Sequence, residues 1–174
     1  AALGAECPKT ADEVTQMPEF VPPEEIDAIL RGHKLLVGDM VWGPDPTNSR
    51  FISARFQLAD EEGLTIPGLV VELAFRKGLV VGDCKYDFTL FALKESKRRR
   101  VYQIEVVPLD RPSHNSQSGR IFGPHEHRGE VAMALPPLAI GCLDHEQWFR
   151  QFLHRANIGY GGPYSPPERQ LALI

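Results

Sequence analysis

Tyr86-Asp-Phe-Thr-Leu-Phe-Ala-Leu93 and Val101-Tyr-Gln-Ile-Glu-Val-Val107 are two apolar-rich stretches separated by the charged segment Lys94-Glu-Ser-Lys-Arg-Arg-Arg100. Short runs rich in aromatic and β-branched residues, with a polar link between them, are typical of a β-hairpin. The two stretches therefore predict paired strands, with the charged segment as the loop at the hairpin tip.

Two earlier stretches extend this pattern. Apolar and polar residues alternate along Phe51–Leu58, and Leu69–Arg76 repeats the alternation after a turn-rich gap. Alternation with a period of two residues indicates a strand with one buried face. Because neighbouring strands with short links pair in antiparallel fashion, the chain predicts an antiparallel meander, with Glu130–Leu135 as a further strand.

Helical signals lie at both ends of this strand region. Pro22-Pro23-Glu24-Glu25 indicates a short N-terminal helix, since proline and acids suit a first turn. Asp144 and Gln147 have the spacing of a capping box, and the stripe Phe149, Phe152, Leu153 and Ala156 follows at helical intervals. The expected fold is α+β: a five- or six-stranded antiparallel meander sheet packed on a C-terminal helix, with a short N-terminal helix.

Length and composition predict one domain. The chain has 174 residues, of which 43% are hydrophobic, enough for a single core. We expect a flexible arm over 1–19, an α+β domain over 20–158 and a Gly/Pro-rich tail over 159–174. The net charge of -4 excludes a surface that is basic throughout, so any contact with RNA must be local.

The cysteines and the hydropathy of the chain indicate the cellular compartment in which the protein is expected. Cys7, Cys84 and Cys142 are odd in number, far apart and form no CxxC pair, so they predict neither a disulfide framework nor a zinc site. Cys84 and Cys142 are expected to be core fillers. The apolar stretch 131–143 is broken by prolines and is too short to span a bilayer. The expectation is a soluble, cytoplasmic protein without membrane contact.

The histidines predict the site. Asp110-Arg-Pro-Ser-His114 is followed by Gly123-Pro-His125-Glu-His127-Arg-Gly-Glu130. In an extended segment His125 and His127 point to the same face. One imidazole could remove a proton from a ribose 2′-hydroxyl while the other protonates the leaving oxygen. With His114, Arg111 and Asp110 beside them, the pair predicts a metal-independent ribonuclease-like site that needs no cofactor.

Two other interpretations stay open for the same residues. Neutral His125 and His127 could ligate a zinc, iron or manganese ion together with Glu130, which would indicate a metal-binding enzyme or sensor. Alternatively, the histidines could be a polar turn whose ring nitrogens bond backbone carbonyls. A non-enzymatic protein that binds a partner through its sheet edge or its hairpin tip is a third possibility.

The basic run beside the hairpin is a candidate nucleic-acid contact. Cationic side chains there could follow a phosphate backbone, and the candidates are Lys97, Arg98, Arg99, Arg100 and Arg128. The competing interpretation is a solvated edge, because lysines and arginines at a hairpin end also discourage the addition of further strands.

Residues 85–130 resemble the small α+β toxins of bacterial toxin–antitoxin pairs. The resemblance rests on an antiparallel hairpin, then Asp-Arg, a histidine and Pro-His-x-His. It implies an active site of Asp110, Arg111, His125 and His127, RNA as substrate and an antitoxin as partner. The segment from Gly119 through the His-x-His pair is also similar to the first metal motif of cupins, although Glu130 follows after fewer residues than that motif has and no second histidine motif follows.

Overall fold

The computed structural model describes residues 20–77, 83–116 and 119–167, and it has an α+β fold. Its helices are α1 (Pro23–Arg31) and α2 (His145–Ala156). Its strands are, in chain order, β1 (Lys34–Val37), β2 (Gly43–Pro44), β3 (Ile52–Ala59), β4 (Thr65–Lys77), β5 (Cys84–Lys94), β6 (Lys97–Val106), β7 (Pro112–Ser116), β8 (Gly119–Phe122), β9 (His125–Arg128), β10 (Val131–Ala134) and β11 (Ile158–Gly159). The expected N-terminal and C-terminal helices are confirmed.

One large mixed sheet carries the fold. Its strand order is β10-β9-β6-β5-β4-β3-β1-β11, with β2 paired to β3 at the side, while β7 and β8 form a separate hairpin. The run from β3 to β6 is the antiparallel meander that the alternation predicts. The sheet of the described residues has nine strands rather than five or six, and β11 runs parallel to β1 because the chain returns to that edge after α2.

The link between β5 and β6 is shorter than the sequence suggests. Only Glu95 and Ser96 form the turn, with φ values of 49° and 63°, and Lys94 pairs with Lys97. Positive φ at both central residues is the geometry of a type I′ hairpin turn, whose twist matches that of the flanking strands. The basic run therefore lies within β6 and not in a loop.

Helix α2 covers one face of the sheet. Its Phe152 is fully buried, and the Phe152 ring lies 6.0 Å from the ring of Phe88 on β5 and 6.0 Å from that of Tyr102 on β6. These contacts form the centre of the apolar core, as the helical stripe predicts. Neither described helix has the length and apolar character needed to cross a membrane.

The start of α2 differs from the predicted capping box. The side chain of Asp144 makes no cap hydrogen bond; its Oδ2 accepts instead from the backbone nitrogen of Gly141, at 2.8 Å. The carboxylate therefore closes the turn before the helix, since aspartate side chains often bond to neighbouring backbone groups outside a helix.

The cysteine prediction was wrong. Cys84, at the start of β5, and Cys142, in the loop before α2, form a disulfide with a Cα–Cα distance of 6.3 Å. The two residues are 58 positions apart, so only the tertiary packing of α2 on the sheet brings them together. Cys7 lies outside the described residues.

The histidine at the start of α2 belongs to the core. His145 is buried, and its ring contacts those of Trp42, Tyr86 and Phe88. Burial lowers the pKa of His145 to about 3. It is a neutral member of the aromatic core.

The chain beyond α2 lies against the domain. Ile158 and Gly159 pair with Lys34 and Leu35 of β1, and the indole Nε1 of Trp42 donates to the backbone oxygen of Ser165 at 2.9 Å. Strand β11 therefore includes the first residue of the segment that the sequence predicts to be a Gly/Pro-rich tail. The predicted arm 1–19 lies outside the described residues, and the domain boundaries stay a prediction.

Candidate metal centre

Strand β9 places His125 and His127 on one face of the sheet. Successive side chains of a strand point to opposite faces, so Glu126 faces the other way. On that opposite face, Glu126 accepts hydrogen bonds from the Tyr102 hydroxyl at 2.6 Å and from Arg155 of α2 at 3.1 Å. The two imidazoles therefore lie on the face opposite α2, and their ring centroids are 4.9 Å apart.

The register of the neighbouring strand adds a carboxylate to this pair. In the β6–β9 ladder Glu105 lies directly opposite His125, and Gln103 lies opposite His127. Directly opposed side chains on one face of an antiparallel pair are nearest neighbours. One potential ligand atom from each of Glu105, His125 and His127 lies within 4.8 Å of the other two.

The orientation of the His125 ring follows from its contacts. Its Nδ1 lies 3.2 Å from the carbonyl oxygen of Gly123 and 3.2 Å from Oγ of Ser113. Because a carbonyl can only accept, Nδ1 carries the proton and donates it. In the neutral ring Nε2 is then an acceptor, and it faces Oε2 of Glu105 at 3.8 Å.

The carboxylate of Glu105 is held on its other side. Its Oε1 forms an ion pair with Nζ of Lys85 at 3.2 Å, whereas Oε2 faces His125. Asp87, the cross-strand partner of Glu105 on β5, adds a second acidic group to this face. Burial raises the pKa of Asp87 to about 7, and the charge of Lys85 opposes that shift.

The group is closed to bulk solvent. His125 and His127 are 0% and 1% exposed, and the side chain of Glu105 is 15% exposed. Ser113, whose hydroxyl contacts His125, belongs to β7 of the separate hairpin, so this hairpin contributes to the enclosure.

In the described part of the structure, no hydrogen bond or ion pair links the predicted site residues Asp110, Arg111 or Glu130 to this group. Asp110 is exposed in the turn before β7, and Arg111 forms an ion pair with Asp83 at 2.9 Å. The backbone of His114 pairs with Ile121 in the β7–β8 hairpin, and its side chain lies outside the described part of the structure. Glu130, the carboxylate predicted as a metal ligand, is 61% exposed and contacts Arg100 at 3.3 Å.

Three of the five predicted nucleic-acid contacts form ion pairs within the protein. Lys97 is exposed beside the hairpin turn. The ion pairs are Arg98 with Glu72 at 2.6 Å, Arg100 with Glu130 at 3.3 Å and Arg128 with Asp27 at 3.6 Å. Arg99 lines a surface cleft together with Arg98 and Arg100.

Sequence reasoning missed Glu105. It precedes the histidine pair by twenty positions and reads as an ordinary polar residue in the alternation of β6. The available signal was its place on the same strand face as Gln103, which becomes informative once β9 is known to pair with β6. No known protein family, curated protein or solved structure matches this chain.

Proposed function

We propose that this protein binds one divalent transition-metal ion through Glu105, His125 and His127. The observation that carries the proposal is the convergence of one carboxylate oxygen and two imidazoles within 4.8 Å on a buried sheet face. The contact from His125 Nδ1 to the Gly123 carbonyl adds to it, since such a bond fixes the tautomer in which Nε2 can bind a metal.

The donor set indicates the class of metal. Two histidines and one carboxylate are found in catalytic zinc sites and in non-haem iron sites, where further positions stay open for water or substrate. Bonds of about 2.0–2.1 Å would place ligand atoms roughly 3.4 Å apart, so the group must contract slightly around an ion. His125 Nε2 and Glu105 Oε2 already face each other at 3.8 Å, and a dication between them would attract both atoms.

Elemental analysis of protein purified without chelator tests the proposal. We expect about one zinc, iron or manganese ion per chain, in agreement with a single three-residue site. Glu105→Gln and His127→Ala should each lose that ion. Glu130→Gln is the matched control, because it removes a nearby carboxylate that contacts Arg100, and it should keep the metal.

Two results would contradict the proposal. One is wild-type protein that retains no stoichiometric metal, even after incubation with each of the three ions and gel filtration. The other is loss of metal in Glu130→Gln with retention in Glu105→Gln, which would favour the ligand set predicted from the sequence.

The ribonuclease hypothesis, with RNA as substrate and an antitoxin as partner, stays a prediction, as does the resemblance to bacterial toxins. It requires that the imidazoles reach a phosphodiester, and their exposure of 0% and 1% demands movement of the covering chain first. RNA cleavage that persists in a chelator and is abolished by the paired changes His125→Ala and His127→Ala would favour this hypothesis over the metal proposal.

The cytoplasmic location also stays a prediction. The Cys84–Cys142 disulfide weighs against it, because disulfides persist mainly in oxidising compartments. Thiol alkylation of freshly lysed cells, followed by mass mapping of Cys84 and Cys142, distinguishes the oxidised from the reduced state.

A further inference from the structure

A cleft of about 500 Å³ opens beside the first half of β6, apart from the metal ligands. We call it the arginine cleft; it is lined by Phe20, Phe91, Arg98, Arg99, Arg100 and Glu130. Its size is within the usual range for pockets that bind small molecules. Three arginines against one glutamate give it positive charge on a chain whose net charge is -4.

Two of the three arginines are engaged within the protein. Arg98 donates to Glu72 at 2.6 Å and lies 5.3 Å from the centre of the Phe91 ring. Arg100 donates to the Gly129 carbonyl at 2.7 Å and to Gln103 at 2.9 Å. These contacts fix both guanidinium groups in the wall of the cleft, so a ligand meets a preformed surface.

Arg99 is different. Its side chain makes no hydrogen bond or ion pair with any residue that the structure describes, and its Nε is buried without a partner. The terminal nitrogens of Arg99 therefore have no partner among the described residues, and Arg99 lines the cleft. An anion in the cleft would supply an acceptor for these terminal nitrogens, and the planar guanidinium matches the paired oxygens of phosphate.

We propose that the arginine cleft binds a phosphate monoester that carries a flat ring, such as a nucleoside monophosphate. Arg99 contacts the phosphate. Phe20, which is 55% exposed, offers an uncovered ring for stacking, whereas Phe91 already lies beside Arg98. This site is separate from the metal centre and does not depend on the function proposed for it.

Calorimetric titration with adenosine 5′-monophosphate tests the proposal. We expect saturable binding to the wild-type protein and affinity at least about tenfold weaker for Arg99→Gln, since a charge-assisted hydrogen bond is lost. Arg150→Gln is the matched control, because Arg150 lies on α2 and pairs with Glu146. It should bind the nucleotide as the wild type does, and circular dichroism confirms that both variants are folded.

Further probes test the contributions of the ring and of the phosphate to binding separately. Phe20→Ala should weaken binding of the nucleotide and leave binding of inorganic phosphate unchanged, while adenosine alone should bind poorly. A 5′-phosphorylated oligoribonucleotide identifies the source of the phosphate: tighter binding than the free nucleotide indicates a strand end, and equal or weaker binding indicates a free nucleotide.

The proposal is overturned if Arg99→Gln binds the nucleotide as tightly as Arg150→Gln does. It is also overturned if adenosine binds as tightly as its monophosphate, or if neither the nucleotide nor inorganic phosphate saturates the wild type at millimolar concentrations. Because Glu105→Gln is expected to bind the nucleotide normally, failure of this site and failure of the metal site can be told apart.

Discussion

The two faces of the central sheet are chemically opposite, although each holds fully buried side chains. On the face under α2, the aromatic face, Phe88 and Tyr102 pack on Phe152. On the other face, the metal face, Glu105 lies beside His125. Phe88, Phe152 and His125 are all 0% exposed, so burial alone does not reveal what a face is for.

This difference distinguishes the face that stabilises the fold from the face that holds the proposed metal site. The aromatic face buries mostly apolar ring surface, and removal of apolar surface from water stabilises the fold. The metal face buries a histidine pair and two acids, Glu105 and Asp87, whose desolvation costs free energy. Selection for stability alone would replace such groups, so their presence supports the metal site that we propose.

Among the variants that test this contrast, Phe152→Ala is expected to change stability the most. Truncation of a fully buried ring that contacts Phe88 and Tyr102 should lower the free energy of unfolding by about 3–5 kcal/mol. Urea denaturation measures the change. A loss below about 1 kcal/mol would mean that α2 does not close the core.

The second effect concerns the disulfide between β5 and the loop that precedes α2. Cys84→Ser should lower the free energy of unfolding by about 2–4 kcal/mol, because the disulfide restricts a long loop in the unfolded chain. Reduction of the wild type should have the same effect, while Cys7→Ser serves as the control that leaves the bridge intact. Equal stability of oxidised and reduced protein would show that the bridge contributes nothing.

The sequence predicts the aromatic face better than the metal face, for a physical reason. The central meander and both helices follow from periodic burial, which a local window of residues displays. Strand β9 has only four residues, His-Glu-His-Arg, and none of them is apolar. It forms because β6 offers an open edge, and no local pattern encodes that pairing.

The ligand set illustrates the same limit. The spacing of His125 and His127 predicts that they share a face, but it does not point to Glu105, the carboxylate of the proposed ligand set, which the cross-strand register places beside them. Nearness in sequence instead favoured Glu130, which turns outward after β9 and contacts Arg100. The Cys84–Cys142 pair was missed in the same way, because its 58-residue separation is bridged only by tertiary packing.

The third prediction uses the histidine of the aromatic face. The pKa of His145 is about 3 in the folded protein, against an ordinary 6.5 in the unfolded chain. As the pH falls below 6.5, the unfolded chain binds a proton that the folded protein does not, so stability decreases until about pH 3. At pH 5 this loss should be about 2 kcal/mol relative to pH 8.

Urea denaturation at several pH values measures this loss. His145→Gln should remove the acid-dependent part, whereas the exposed control His154→Gln should keep it. If the free energy of unfolding of His145→Gln depended on pH as that of the wild type does, the His145 ring would titrate normally. Burial in the aromatic face would then not keep this histidine neutral.

The smallest effect is expected on the metal face itself. In metal-free protein, Glu105→Gln should change the free energy of unfolding by less than about 1 kcal/mol. The amide keeps the shape of the side chain, and it removes a charge whose desolvation is unfavourable. With zinc at about a hundred times its dissociation constant, the wild type should gain about 2.7 kcal/mol and the variant nothing.

Unfolding of both proteins with and without zinc measures that difference. If Glu105→Gln instead destabilised the metal-free fold as strongly as Phe152→Ala does, the carboxylate would be part of the core's structure. A near-neutral substitution that abolishes the gain from zinc separates the two roles: the aromatic face holds the sheet together, and the metal face retains its titratable groups for the ion that they bind.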